Sequence, residues 1–160
     1  MPGPGIVASV TTAAGLVMYR RRGPVLEVLL VHPGGPFWKN KNDGAWSIPK
    51  GECEAREATI DAAQREFREE TGFAPTAPFH ELGTVRTRGK TIVAWAFEGD
   101  CDPSELRSNT FTMEWPPRSG REQSFPEVDR AAWFALDHAL VKLLPAQQPF
   151  LQRLGQSFGS

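Results

Sequence analysis

One segment, GECEAREATIDAAQREFREETGF from Gly51 to Phe73, constrains the fold of this chain more than any other. Ile60, Ala63 and Phe67 recur at the spacing of a helix that buries one stripe. A helix from about Glu57 to Thr71 would stop at Gly72, with Pro75 and Pro78 beyond it. On either side of this single helical stretch the pattern is that of strands. VLEVLLV (Val25 to Val31) lies between Gly23-Pro24 and Pro33-Gly34-Gly35, and Ala8 to Tyr19 is a second strand that joins it in a hairpin through RRRGP. AWSIP reads as a short strand leading to Lys50, and HELGTVRTRGKTIVAWAFEG as two strands about a turn near Gly89. AAWFAL is a last strand, followed by a helix capped by Asp137 and running to about Leu144, with a further short helix in QQPFLQRL. Residues 33–45 read as an exposed loop, and 102–127 as a long loop with some strand. Strands, a helix, more strands and closing helices predict an α/β fold in which helices cover a mixed sheet. The 160 residues suffice for one domain with a real core, and no repeat or linker divides them.

The expected helix carries an odd concentration of charge. At about 100° per residue, Glu66, Glu69 and Glu70 fall on the arc beside the core stripe, next to Ala58 and Ala62. Glu57, Asp61, Gln64 and Arg68 take the remaining, solvated side. Like charges three and four residues apart repel each other on a helix. The alanines would leave open space beside the acids, and clustered carboxylates with open space are what a hard divalent cation uses, since magnesium takes oxygen ligands and bridges carboxylates to substrate phosphates. On the helix alone, acids that merely face water stand as the alternative.

The full spacing narrows that choice. Gly51, five residues, Glu57, seven residues, then Arg65-Glu66-Phe67-Arg68-Glu69-Glu70-Thr71-Gly72-Phe73 resembles the Nudix box, G-x5-E-x7-R-E-U-x-E-E-x-G-U, where U is bulky and apolar. Every fixed position matches, with phenylalanine at both U positions, and WSIPKG leading into the box also looks like this family. The resemblance implies an α/β/α sandwich around a mixed sheet, with the box as a loop-helix-loop. It implies hydrolysis of a nucleoside diphosphate linked to another moiety, with Mg2+ or Mn2+. It makes Glu66, Glu69 and Glu70 metal ligands, joined by the Gly51 carbonyl. It makes Glu57 and Arg65 a structural pair, with Gly72 closing the box helix.

Composition removes other classes. The formal net charge of -1 gives no reason to expect a polynucleotide or an anionic membrane surface as partner. Cys53 and Cys101 form neither a zinc pattern nor a disulfide framework, which points to a reducing, cytoplasmic setting. Near the start the arginines follow the apolar run, whereas in a secretory signal they precede it. There is no G-x-S-x-G elbow and no P-loop. His32, His80 and His138 lie far apart without ligand spacing and receive no role.

Cleaving a diphosphate requires phosphate charge to be neutralised and a water to be made nucleophilic. A carboxylate takes the proton, and Glu66 is one candidate. Glu127, in SFPEVDRAAWF, is the other, placed like a glutamate of the family's diadenosine tetraphosphate hydrolases. Lys50, Arg86, Arg88, Lys90, Arg118 and Arg121 are candidate phosphate cations, against ordinary solvated roles. Trp38, Trp46, Trp115 and Phe125 are candidate walls for a base or ribose. The strand-to-box junction resembles diadenosine polyphosphate hydrolases. The chain departs from them in having Tyr19 as its one tyrosine, and from ADP-ribose pyrophosphatases in having Arg88 and Gly89 about sixteen residues after the box. The expectation is a small nucleotide substrate, a nucleoside or dinucleoside polyphosphate, in a chain compatible with a homodimer. Oxidised nucleotides, diphosphoinositol polyphosphates, or nucleotide sensing without cleavage are the alternatives.

Overall fold

The structure is a computed structural model that describes residues 11–158; Ala8 to Val10 of the expected first strand lie outside the described residues. In chain order the elements are β1 (Thr11–Arg22), β2 (Val25–Pro33), β3 (Lys50–Glu52), α1 (Thr59–Thr71), β4 (His80–Thr87), β5 (Lys90–Glu98), β6 (Thr110–Glu114), β7 (Glu122–Pro126), β8 (Val128–Ala135), α2 (Leu136–Lys142) and α3 (Gln148–Phe158).

The main sheet runs β4-β5-β1-β2-β8, with β3 paired to β1 off this path. β1 and β5 are parallel and the other pairs antiparallel, so the sheet is mixed. Along one edge β1 follows β5 from Thr11 to Tyr19. Along the other it changes partner, meeting β3 at Ala13 to Gly15 and β2 from Tyr19 onward. The gap at this switch is crossed by the segment 47–49. Leu16 N–H donates to the Pro49 carbonyl at 3.1 Å, and Val31 and Ser47 exchange two backbone hydrogen bonds at 2.9 Å. The box is delivered to the sheet at this opening.

Alternation along β1 divides the core between the two faces. Ala13, Val17 and Tyr19 pack with Leu143, Phe150 and Leu154 beneath α2 and α3. Ala14, Leu16 and Met18 pack with Ala62, Ala63 and Phe67 of α1. Burial on both faces makes the central strands continuously apolar. Two helices on one face and one on the other complete the α/β/α sandwich expected from the sequence. No helix of the described residues is long and apolar enough to cross a membrane.

Several local expectations are corrected. AWSIP is not a strand: Trp46 and Ser47 form isolated bridges to Leu143 and Val31, and the strand begins only at Lys50. Pro49 lacks the N–H that would continue a ladder. The first helix starts at Thr59, with Ala58 at the cap. Ala62 leaves no open space beside the acids, because it is fully buried in the α1 face of the core. Asp137 lies inside the first turn of α2, since β8 runs into the helix and Ala135 occupies the cap. Most of the long loop is a β6–β7 hairpin, paired from Thr110↔Pro126 to Glu114↔Glu122 and separate from the main sheet.

Candidate active site

The box helix is held by packing at one face and by a backbone stop at its end. Phe67, fully buried, meets Phe97 edge-on with ring centroids 5.2 Å apart. Gly72 adopts φ 78°, a left-handed conformation that glycine reaches without penalty, and its N–H closes the helix on the Arg68 carbonyl. This anchoring sets the direction of the glutamates that precede it.

Arg65 is the hub of the acidic face. Its Nε donates to Glu57 Oε2 at 2.8 Å and Nη2 to Glu57 Oε1 at 2.9 Å, a bidentate pair. Nη2 also donates to the Glu52 carbonyl at 3.1 Å. Nη1 reaches Glu66 Oε1 at 2.8 Å and Glu69 Oε2 at 3.2 Å. The guanidinium holds the Glu57 carboxyl down to about 2 and is itself raised by these partners.

Glu66 is buried, 8% exposed, and its carboxylate lies against the backbone of Gly51. A Cβ at position 51 would fall 2.0 Å from Glu66 Oε2, so the box needs glycine here for close approach rather than for a turn. Burial raises the Glu66 pKa, and the Glu69 and Glu127 charges add to that against the pull of Arg65. Glu70 accepts from the Lys50 backbone N–H at 3.2 Å. It is raised to about 8, first by burial and then by Glu66 and Glu127, against the opposing Lys50. Glu127 is raised by desolvation and by Glu69.

Lys50, Glu70 and Glu127 line one cavity of about 230 Å³. Trp38 forms an aromatic wall, and Val31 and Leu144 supply apolar surface. Glu127 is the single residue between β7 and β8. Its N–H donates to the Asn109 carbonyl at 2.8 Å, and its own carbonyl accepts from Gly34 N–H at 2.9 Å.

The structure does not gather every residue singled out in the sequence. Of the box acids only Glu70 lines this cavity; Glu66 sits behind Gly51, and Glu69 turns toward Arg65. Arg86 and Arg88 are exposed on and after β4 and do not line it. Neither does Arg118, at φ 61° in the β6–β7 turn, where its N–H donates to Glu114. Trp46 is core, 4% exposed, with its indole N–H on Asn42. Trp115 stacks edge-on against Phe37, and Phe125 packs on Phe111.

Two residues that the sequence left without a role brace the site. His32 is fully buried, with Nδ1 2.9 Å from Asp129 and Nε2 2.6 Å from the Lys41 carbonyl, so it ties the 33–45 loop to β8. Its place inside the apolar run VLLVHP is the available signal, because a polar group there must find partners. Gln147, also buried, accepts from Ile48 N–H at 3.0 Å and donates to Ser47 Oγ at 3.0 Å, fixing the approach to Lys50.

The donors are all hard oxygens, and Glu66, Glu70 and Glu127 are each pushed toward the protonated form first by burial and then by neighbouring carboxylates. That is the chemistry of a set that suits a divalent cation. Among the described residues, no three acidic, histidine or cysteine side chains are already grouped closely enough to hold a metal. Arg65 engages two of the carboxylates instead.

A mixed sheet between helices, opened where β1 changes partner, with a carboxylate-bearing loop-helix-loop at the opening, defines the class of fold. The chain belongs to the NUDIX domain family, whose model matches residues 10–154. A Caenorhabditis elegans protein named as a nudix hydrolase is 28% identical over 111 residues, which is 67% of this chain and 29% of that protein. This chain therefore spans less than a third of that relative. Among solved structures, the binary complex of a C. elegans Ap4A hydrolase aligns at TM-score 0.64 and 22% identity, covering 92% of this chain and 97% of that one. The NUDIX domain of Shewanella oneidensis NrtR, complexed with ADP ribose, aligns at TM-score 0.67 and 17% identity, covering 98% and 93%.

Proposed function

We propose that this chain hydrolyses a diphosphate bond in a nucleoside or dinucleoside polyphosphate, with Mg2+ or Mn2+ held by Glu66, Glu69, Glu70 and the Gly51 carbonyl. The observation that carries the reading is the cavity where Lys50, Glu70 and Glu127 meet beneath Trp38. When bound, the metal would neutralise phosphate charge and lower the pKa of a coordinated water. Trp38 offers a flat face for a base, and Lys50 an ammonium for the diphosphate. Glu127, which lines the cavity on a backbone pinned from two sides, serves as the proton acceptor. Glu66 is held by Arg65 and serves as a ligand rather than a base. Arg65 and Glu57 keep the acidic face aligned, so their loss loosens the site without removing a ligand.

The test is magnesium-dependent phosphate release from a panel: diadenosine tetraphosphate, nucleoside triphosphates, ADP-ribose, an oxidised nucleotide and a diphosphoinositol polyphosphate. Turnover on the nucleotides that is lost in Glu70→Gln supports the reading, and turnover confined to the inositol compound replaces it. A second reading, nucleotide binding without cleavage, is favoured by Arg65 engaging Glu66 and Glu69 together. Tight nucleotide binding with no turnover on any substrate would select it.

A further inference from the structure

The pairing of β2 with β8 slips by one residue beside Glu127. His32 lies opposite Arg130 and Pro33 opposite Val128, so Asp129 has no partner on β2. Pro33 supplies the local cause: it has no N–H to continue the ladder, and prolines inside sheets gather at bulges. The slip changes where the neighbouring side chains point. Further along β8 the faces alternate, Ala131 and Trp133 packing with α1 and Ala132 and Phe134 with α2 and α3. Strict alternation would send Asp129 to the α1 face and Val128 to the other. Instead Asp129 meets His32, whose ring stands edge-on to Trp46 of the α2–α3 core. Arg130 lies over that same indole at 5.1 Å, so two consecutive side chains share one side. Val128 is turned to the cavity with Val31 and Pro33, and Glu127 precedes it at the same opening. A ladder without the extra residue would reverse the faces of the side chains before Arg130.

Side chains from two other parts of the chain hold the bulge. His32 is fully buried, with Nδ1 2.9 Å from Asp129 Oδ1 and Nε2 2.6 Å from the Lys41 carbonyl. Lys41 N–H donates to the Trp38 carbonyl at 3.0 Å, so the same imidazole fixes the turn that carries the aromatic wall of the cavity. On the other side, Ser108 Oγ accepts from Val128 N–H at 3.0 Å and donates to the Asn109 carbonyl at 2.8 Å. That carbonyl is the one that accepts from Glu127 N–H. Asn109 N–H donates to the Glu69 carbonyl at 2.8 Å, which joins this strap to the end of the box helix.

We infer that the bulge at Asp129 aims Glu127 into the cavity, and that His32, Asp129 and Ser108 are positioning residues for it. This rests on the proposed function for the role of Glu127, whereas the hold on the bulge is a property of the chain without substrate. His32 also sets Trp38 against Glu127, so the base wall and the proton acceptor are registered through one ring.

The test joins amide exchange to kinetics. Exchange of the Val128 and Glu127 amides is followed by NMR on the full chain in EDTA, for wild type, Asp129→Ala, Asp129→Asn, Ser108→Ala and Ser108→Thr. Val128 exchange should quicken about tenfold in both alanine variants, be largely restored by asparagine and threonine, and leave the Phe67 amide of α1 unchanged. In magnesium, the alanine variants should lower kcat about tenfold at an unchanged KM, with the same pattern of rescue. Combined with Glu127→Gln, they should cost little further, because they act through that carboxylate. His32→Phe, which keeps a ring against Trp46 but severs both bonds, should raise KM as well as lower kcat. Unaltered Val128 exchange, or the same loss of kcat in the Glu127→Gln background, overturns the inference. If His32→Phe does not fold, the Asp129 and Ser108 variants still decide it, since neither of those residues is fully buried. Absence of turnover on every substrate would remove the proposed hydrolysis, while exchange in EDTA would still show whether these residues hold the bulge.

Discussion

Gly51→Ala tests the close approach between the start of the box and Glu66, the first of its three clustered glutamates. The added Cβ would lie 2.0 Å from Glu66 Oε2, 2.1 Å from Cδ and 2.6 Å from Oε1. Ordinary heavy-atom contact is about 3.5 Å, so the carboxylate has to retreat by about 1 Å or more. It has little room to do so. Glu66 is 8% exposed and bonded to Arg65 at 2.8 Å, and Arg65 is in turn held by both oxygens of Glu57. Overpacking of this kind costs about 1–3 kcal/mol. A catalytic group misplaced by about 1 Å also loses on the order of 100-fold in rate. Urea unfolding measures the first effect, and magnesium-dependent phosphate release the second. The decisive measurement is a double-mutant cycle with Glu66→Ala. Once the carboxylate is removed, Gly51→Ala should cost little, leaving a coupling energy of about 1–3 kcal/mol between the two sites. If Gly51→Ala is as stable and active as wild type, or costs the same without the Glu66 carboxylate, the close-approach explanation fails.

Phe67→Ala should destabilise the fold by about 3–5 kcal/mol in urea unfolding, because Phe67 is fully buried against Phe97. A loss below about 1 kcal/mol would mean that α1 is not anchored through this ring. Glu57 is lowered from 4.5 to about 2 by Arg65, so its stabilising pair is complete above pH 4.5 and drains as pH falls toward 2. Unfolding free energy measured across that window should fall more steeply for wild type than for Glu57→Gln; parallel curves would refute the linkage. Glu127→Gln should reduce turnover by about 100-fold or more with an unchanged melting temperature, and near-normal turnover would take Glu127 out of the chemistry.

What was legible in the sequence follows from how local each signal is. α1 was readable because Ile60, Ala63 and Phe67 mark one stripe and Gly72 marks its end. β1 and β2 were readable as apolar runs, although burial on both faces erased the alternation that would have shown which residues face which helix. The β6–β7 hairpin was not readable: its strands are mostly exposed, and Pro116-Pro117 interrupt the pattern at its turn. The helical wheel put the three glutamates on one arc but could not say what the neighbouring arc meets. Ala62 therefore looked like open space and is core.

The way Glu127 is attached has a consequence for how this scaffold can change. Asn109 and Gly34 hold its backbone at the base of the β6–β7 hairpin, while Trp115 N–H closes the tip on the Arg121 carbonyl. The residues 116–120 beyond that closure are exposed. The hairpin is thus a finger on a fixed knuckle. Lengthening, shortening or grafting its tip changes the surface presented beside Phe37, which Trp115 meets edge-on, and leaves the carboxylate at its root where it was. The tip can vary in length and sequence while the position of Glu127 stays fixed.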